Sequence, residues 1–228
     1  MSSSDQEEYY LNVEADAFFK RNPYDFETLP TYKESLLEFL VSENDSLQLA
    51  NVLEIGCHIG DLLAAVVNIA GSERGYGIEP SALAVAEGLN RFSESCNFIR
   101  GTAADTEKFE EIPLVDLAIV NDVFCWMSRE SLMTSIRNID NQIRIGGLLL
   151  IRDFYPDRKV RNRNKHAGDE PIYCHKILGS HSAIFEATGM YEVVKSRIFS
   201  DRSFSLSRAN DLGWLENRWR DVLLKKVG

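Results

Sequence analysis

At 228 residues with 44% hydrophobic content, the chain has the size of one domain with a sizeable core, and it is read as a single domain over residues 1–228. A formal charge of −10 and an isoelectric point near 5.0 oppose nonspecific binding to a nucleic-acid backbone, which needs a clustered positive face. Cys57, Cys96, Cys125 and Cys174 show no Cys-x-x-Cys spacing, so no metal is expected and reduced thiols in the cytoplasm are the plain reading; no apolar run approaches the roughly 20 residues of a membrane span, and the polar, acidic Met1–Tyr10 does not read as a secretion signal.

In chain order, Ser2–Glu8 is short, polar and charged, and disorder is expected there. Tyr9 to Leu40 is rich in aromatics, with helices expected over Asn12–Arg21 and Thr31–Val41 around the breakers Pro23 and Pro30. These aromatics, Tyr24 and Phe26 among them, either pack against a sheet or, for Tyr9, Tyr10 and the Phe18-Phe19 pair, form a lid; residues 1–45 are read as an N-terminal helical lid. Strand and helix then alternate: Val52–Ile55, helix Asp61–Ala70, Gly75–Glu79, helix Ala82–Phe92, Asn97–Arg100, Leu114–Asn121, helix Arg129–Gln142, Leu148–Asp153. Near-continuous apolar strands in such alternation imply a parallel sheet covered on both faces, with a ligand at the carboxyl ends of the strands. A polar insertion over Phe154–Ile177 interrupts the pattern before helix Ser180–Thr188 and strand Tyr191–Ile198. Trp219–Val227 reads as a final strand or as the continuation of a helix from Asp211.

The segment Asn51-Val52-Leu53-Glu54-Ile55-Gly56-Cys57-His58-Ile59-Gly60-Asp61 carries the chemistry. A strand enters a glycine-bearing turn and then a helix, and a second strand ends in Glu79-Pro80 about 20 residues on, the offset of an acid that holds a nucleotide ribose. His58 stands where a dinucleotide loop has its middle glycine, so a pyrophosphate is not expected. Glu54, beside the turn, would repel phosphate but could pair with an ammonium group. The site reads as one for a nucleoside bearing a cationic amino-acid tail, which describes S-adenosylmethionine.

At this point the chain resembles the class I S-adenosylmethionine-dependent methyltransferases, of the bacterial small-molecule type. Gly101-Thr102-Ala103-Ala104-Asp105 is similar to the family's third segment, Val115–Phe124 to its fourth, and Ile145–Ile151 to the turn into its fifth strand. The resemblance implies a doubly wound, seven-stranded, mostly parallel α/β sheet of Rossmann-like type, with Trp219–Val227 as a strand inserted antiparallel beside the sixth. It also implies S-adenosylmethionine held by Glu54, Gly56, His58 and Gly60, by Glu79 and Pro80 at the ribose, by Ala104 and Asp105 at the adenine, and by Asn121 beside the methionine part. Trp126 stands where many relatives have a histidine after the fourth strand.

Methyl transfer to a hydroxyl gains from a general base, and Asp122, His166 and His175 are the candidates; Asn121 and Asp153 also end strands that face the acceptor, and His181 falls in a first helical turn. Residues 154–178 are read as an acceptor-side insertion, and its run Arg158 to His166 suggests an anionic small-molecule acceptor such as a nucleotide sugar or carboxylate. The expected activity is O-methylation of an anionic metabolite or sugar, with no nucleic acid and no membrane as partner. The rival is a non-catalytic cofactor-binding regulatory or interaction protein on the same fold.

Overall fold

The computed structural model describes residues 3–22, 28–42, 48–170, 172–199 and 218–228. Pro23, Tyr24, Phe26 and the stretch from Asp211 to Asn217 lie outside the described residues.

The chain opens with helix α1 (Ser3–Tyr9), a π-helical turn (Tyr10–Glu14) and helix α2 (Ala15–Arg21). The disorder expected over Ser2–Glu8 is therefore corrected: the segment is helical from Ser3. Tertiary contacts hold this polar stretch, since the Gln6 side-chain amide donates to the carbonyls of Trp126 and Tyr173, at 2.5 and 3.2 Å. Helix α3 (Thr31–Val41) has the expected bounds and buries Leu36, Phe39 and Leu40.

Strands and helices then alternate through β1 (Asn51–Ile55), α4 (Asp61–Ala70), β2 (Arg74–Glu79), α5 (Ala82–Phe92), β3 (Cys96–Arg100), α6 (Thr106–Phe109), β4 (Val115–Asn121), a 3-10 turn (Phe124–Trp126), α7 (Arg129–Gln142) and β5 (Ile143–Phe154). Helices α5 and α7 begin at serines whose hydroxyls accept the first free amides: Ser81 takes the Ala84 N–H at 3.1 Å and Ser128 that of Ser131 at 3.2 Å. The insertion after β5 folds as a hairpin, β6 (Val160–Arg163) against β7 (Tyr173–Lys176). Helix α8 (Ser182–Ala187), β8 (Tyr191–Phe199) and β9 (Trp219–Lys226) complete the chain.

The main sheet has seven strands in the order β3-β2-β1-β4-β5-β9-β8, parallel except for β9, which runs antiparallel between β5 and β8. Successive strand residues feed opposite faces. Leu53, Ala118, Val120, Leu149, Ile151, Val222 and Leu224 meet α7 and α8 on one side, while Val52, Leu117, Ile119, Leu150 and Leu223 meet α3 and α4 on the other. This double covering explains why the strands read as unbroken apolar runs.

The insertion of β9 is fixed by charge as well as by apolar burial. Asp221, fully buried, receives Arg152 through two parallel bonds at 2.6 and 2.7 Å from β5 and Arg197 at 2.8 Å from β8, so one carboxylate locks the register of three adjacent strands. Among the described residues no helix is long and apolar enough to cross a membrane.

Candidate active site

The carboxyl ends of β1, β2 and β4, together with the turn after β3, open into a cavity of about 900 Å³, covered by the N-terminal helical segment. The β1–α4 loop forms its floor. Gly56, His58 and Gly60 all have positive φ, at 66°, 55° and 77°. The expected departure at His58 thus has a conformational content: the histidine adopts the left-handed geometry that a middle glycine would take, and histidine is among the residues that tolerate it. Gly56 has a second reason to be glycine, because a Cβ there would fall 2.5 Å from Val123 Cγ2. Gly60 supports the loop from behind, where a Cβ would strike the Phe98 ring, and it does not line the cavity.

Two buried carboxylates face this loop. Glu79 Oε2 accepts the His58 amide and Oε1 that of Ser81, both at 2.9 Å, which leaves each oxygen a further lone pair toward the cavity. Burial raises the Glu79 pKa, and the two amide bonds counter part of that rise. Glu54 is almost wholly buried and burial pushes its carboxyl up to about 8, against the opposing pull of the Lys33 ammonium. Glu54 Oε2 and Asn121 Oδ1 are buried and have no hydrogen-bond partner among the described residues. A ligand bringing an ammonium group and a vicinal diol matches these atoms, so the donor set fits S-adenosylmethionine.

Lys33 was not legible as a site residue. It lies on the buried side of α3, reaches the cavity and pairs with Asp61, the first residue of α4. A lysine placed among the buried residues Ser35, Leu36, Phe39 and Leu40 of one helix is the signal that could have marked it.

Glu54, Gly56, His58, Glu79, Pro80, Asn121 and Asp122 all line the cavity, whereas Gly60, Ala104 and Asp105 do not; Gly101, Thr102 and Ala103 represent the third segment there instead. Asp105 Oδ2 accepts the Thr102 amide at 2.7 Å and so closes its own turn. His58 is held neutral well into the acid range, its pKa lowered to about 4 by burial and then by Lys33, and its ring sits 5.3 Å from that of Phe19 and 6.3 Å from that of Phe18.

The cavity is also walled by Tyr10, Glu14, Trp126, Asn164 and His166. Buried Asn164 ties this wall together, donating to Glu14 Oε1 at 3.2 Å and accepting the His166 amide at 2.9 Å through its own Oδ1. Asp122 adopts φ 60°, a left-handed conformation that costs about 1 kcal/mol or more outside glycine and that concentrates at functional positions.

The remaining candidates fall elsewhere. His175 sits on β7 beside Tyr173, outside the cavity lining, with its pKa lowered by burial and by the neighbouring Arg161 and Lys159. His181 is buried with its Nδ1 2.7 Å from Asp153 Oδ2, out of line for a hydrogen bond, and this couple belongs to the core. Asp153 consequently does not face the acceptor side. The basic run is also turned away: the Arg161 guanidinium lies 3.5 Å over the Tyr173 ring, Arg163 donates to the Gly168 carbonyl at 2.9 Å, and none of Arg158, Arg161, Arg163 and Lys165 lines the cavity. Among the described residues no three His, Cys, Asp or Glu side chains are grouped as for a metal.

The family model for the methyltransferase domain matches residues 53–151, from β1 through β5. Residues 53–151 are a methyltransferase domain. The chain is similar along its whole length to the N-methyltransferase NodS from Bradyrhizobium japonicum WM9, solved with S-adenosyl-L-homocysteine, at 16% identity over 99% of both chains and a TM-score of 0.61. It is similar to the 1,6-didemethyltoxoflavin-N1-methyltransferase of Burkholderia thailandensis at 15% identity, over 99% of this chain and 87% of that one, with a TM-score of 0.64. StiE O-MT matches at 15% identity over 85% of this chain and 74% of its own, with a TM-score of 0.59. At these identities the likeness to solved structures concerns the fold. No curated protein matches the chain in sequence.

Proposed function

We propose that the methyltransferase methylates a hydroxyl group of a small molecule, with the cofactor lying across Glu54, Glu79 and the Gly56 turn. S-adenosylmethionine supplies a methyl group already activated on a sulfonium, so the chain's own task is to position the acceptor and to manage one proton. Glu79 accepts the ribose hydroxyls while its bonds to the His58 and Ser81 amides hold it in place. Glu54 takes the ammonium of the amino-acid tail, and Lys33, within electrostatic reach of Glu54, meets the carboxylate of the same tail. Asn121 receives a donor from the methionine end.

The observation that carries the reading is the pair of buried carboxylates, Glu54 and Glu79, at the ends of adjacent parallel strands and aimed into one cavity. The Tyr10, Trp126, Asn164 and His166 wall gives an acceptor a place of its own, which a module that only binds the cofactor would not need. Of the bases expected from the sequence, His166 and Asp122 reach the cavity, and a hydroxyl acceptor uses such a base where an amine acceptor has less need of one. The solved relatives include both N- and O-methyltransferases by name, so the choice of oxygen rests on these side chains.

An anionic acceptor has little support here. Within the lining, Arg21 is engaged by Glu14 at 2.6 Å and Lys33, paired with Asp61, is assigned to the cofactor's tail, so a neutral hydroxyl compound, sugars included, suits the wall better. The four cysteines are buried free thiols, which suits a reaction in the cytoplasm. The test is to follow release of S-adenosylhomocysteine from S-adenosylmethionine across a panel of hydroxylated and amine-bearing small molecules. Turnover with a neutral hydroxyl compound, reduced at least about tenfold by His166→Ala or Asp122→Asn, supports the reading. Turnover with amines alone would reassign the methylated atom, and cofactor binding without turnover on any compound would favour the non-catalytic reading.

A further inference from the structure

The proposed cofactor placement leaves one question of recognition: which group distinguishes an adenine from another purine. The Gly101 amide donates to the Glu79 carbonyl at 3.1 Å, so the Gly101–Ala103 turn is the immediate neighbour of the ribose-binding carboxylate. A base attached to a ribose at Glu79 meets there the apolar walls that a flat ring needs, from Ile78, Pro80, Ala103, Val123 and Met127. The polar edge of that ring must then find its partner among the groups at the same end.

Asp105 is the acid that the sequence points to, but its Oδ2 is already bonded to the Thr102 amide and it stays out of the cavity lining. A Cβ on Gly101 would lie 3.1 Å from that same Oδ2, which shows the carboxylate folded back over its own turn. Glu7 of α1, by contrast, lines the cavity, and its Oε1 is buried with no hydrogen-bond partner among the described residues. It stands at the same end of the cavity, because its carboxylate meets the Ser131 side chain and lies within electrostatic reach of Asp105 and Glu130. Burial raises the Glu7 pKa, opposed by the bond from the Ser131 side chain and reinforced by the neighbouring carboxylates of Asp105 and Glu130.

We propose that Glu7 reads the 6-amino group of the cofactor's purine, so that the N-terminal helix, rather than the Asp105 turn, carries the carboxylate that makes the site specific for adenine over a 6-oxopurine. This rests on the cofactor placement given above. An amino group offers two donors to a carboxylate, whereas the 6-oxo group of a hypoxanthine offers a second acceptor and leaves two oxygen lone pairs opposed. It also gives the covering helix a direct contact with the ligand it covers, so recognition of the base and closure of the cavity become one event.

The experiment is calorimetric titration at pH 8 of the full chain with S-adenosyl-L-homocysteine and, separately, with S-inosyl-L-homocysteine. The wild type is expected to prefer the adenosyl compound by at least about tenfold. Glu7→Gln should narrow the preference to about threefold or less, because an amide can turn either its donor or its acceptor toward the ring. Glu7→Ala, a second variant should the first not fold, should lose affinity for the adenosyl compound and keep that for the inosyl compound. Asp105→Asn should retain the wild-type preference. A wild type without preference, Glu7 variants that keep it in full, or its loss in Asp105→Asn alone would overturn the proposal while leaving the cofactor site intact. Binding of neither nucleoside to the wild type would instead remove the cofactor placement, and this proposal with it.

Discussion

Asp16 of the N-terminal helical segment accepts the Ser81 hydroxyl through Oδ1 at 2.6 Å, joining the cover of the cavity to the cap of α5 two residues beyond Glu79. The same oxygen takes the Leu83 amide at 3.2 Å, and Arg100 holds the Leu11 carbonyl at 2.9 Å. The cover is thus fastened to the start of α5 and the end of β3, beside Glu79. Hydrogen exchange is expected to show stronger protection of residues 9–19 when S-adenosylhomocysteine is bound, and Asp16→Ala should reduce that gain. Equal protection in both states would make the segment a static part of the core.

The buried Glu54 gives a pH dependence of defined sign. Its folded pKa of about 8 exceeds the ordinary 4.5, so the folded chain retains a proton that the unfolded chain has lost, and stability falls as pH rises through that interval. His58, lowered from 6.5 to about 4, acts in the opposite sense between those values. The net fall should therefore be seen between about 6.5 and 8 in the ligand-free protein, and Glu54→Gln should flatten it. Thermal melts across this range check both curves.

An ammonium group beside Glu54 favours its charged form, so cofactor binding near pH 7 should expel a proton. Calorimetric enthalpies measured in buffers of different ionisation heat would reveal it. Proton uptake, or release that persists in Glu54→Gln, would assign the tail elsewhere.

Asp221 has no substitute for the register it sets. Removing it leaves Arg152, itself buried, and Arg197 without their shared carboxylate, and loss of one partner in such a buried group costs about 3–5 kcal/mol. Denaturant unfolding of Asp221→Ala should show a loss of that size. A cost near that of a surface pair, below about 1 kcal/mol, would mean that the apolar packing of β9 alone fixes its place.

The basic hairpin should be dispensable for catalysis. With Arg161 over Tyr173 and Arg163 on the Gly168 carbonyl, their joint replacement by glutamine is expected to leave the acceptor KM and its salt dependence unchanged. A rise in KM that disappears at high salt would restore the anionic acceptor.

Much of the fold and the floor of the cavity was legible because the relevant signals are local. The strand, the turn with its glycines and the following helix lie within a few residues of one another, and Glu79 follows at a spacing fixed by one strand-helix-strand unit. The residues of Trp219–Val227 left strand and helix open, and only the family resemblance pointed to the antiparallel strand that pairs with β5. What could not be read came from contacts between distant segments. Ser2–Glu8 looks unable to order itself, and from Ser3 on it is helical and held by Trp126 and Tyr173. Charge density at Arg158 to Lys165 suggested a binding face, yet hairpin pairing and the Tyr173 ring turn the arginines outward. Lys33, Glu7 and Asn164 enter the cavity from three separate parts of the chain, and no spacing in the sequence joins them.

The most direct test of the cofactor site is calorimetric titration of S-adenosylhomocysteine into the wild type and Glu79→Ala. One molecule should bind per chain, and loss of the carboxylate, with its bonds to the ribose and to the His58 amide, should weaken the affinity at least about tenfold. An affinity unchanged in Glu79→Ala, with the variant folded as the wild type, would contradict the placement of the cofactor in this cavity.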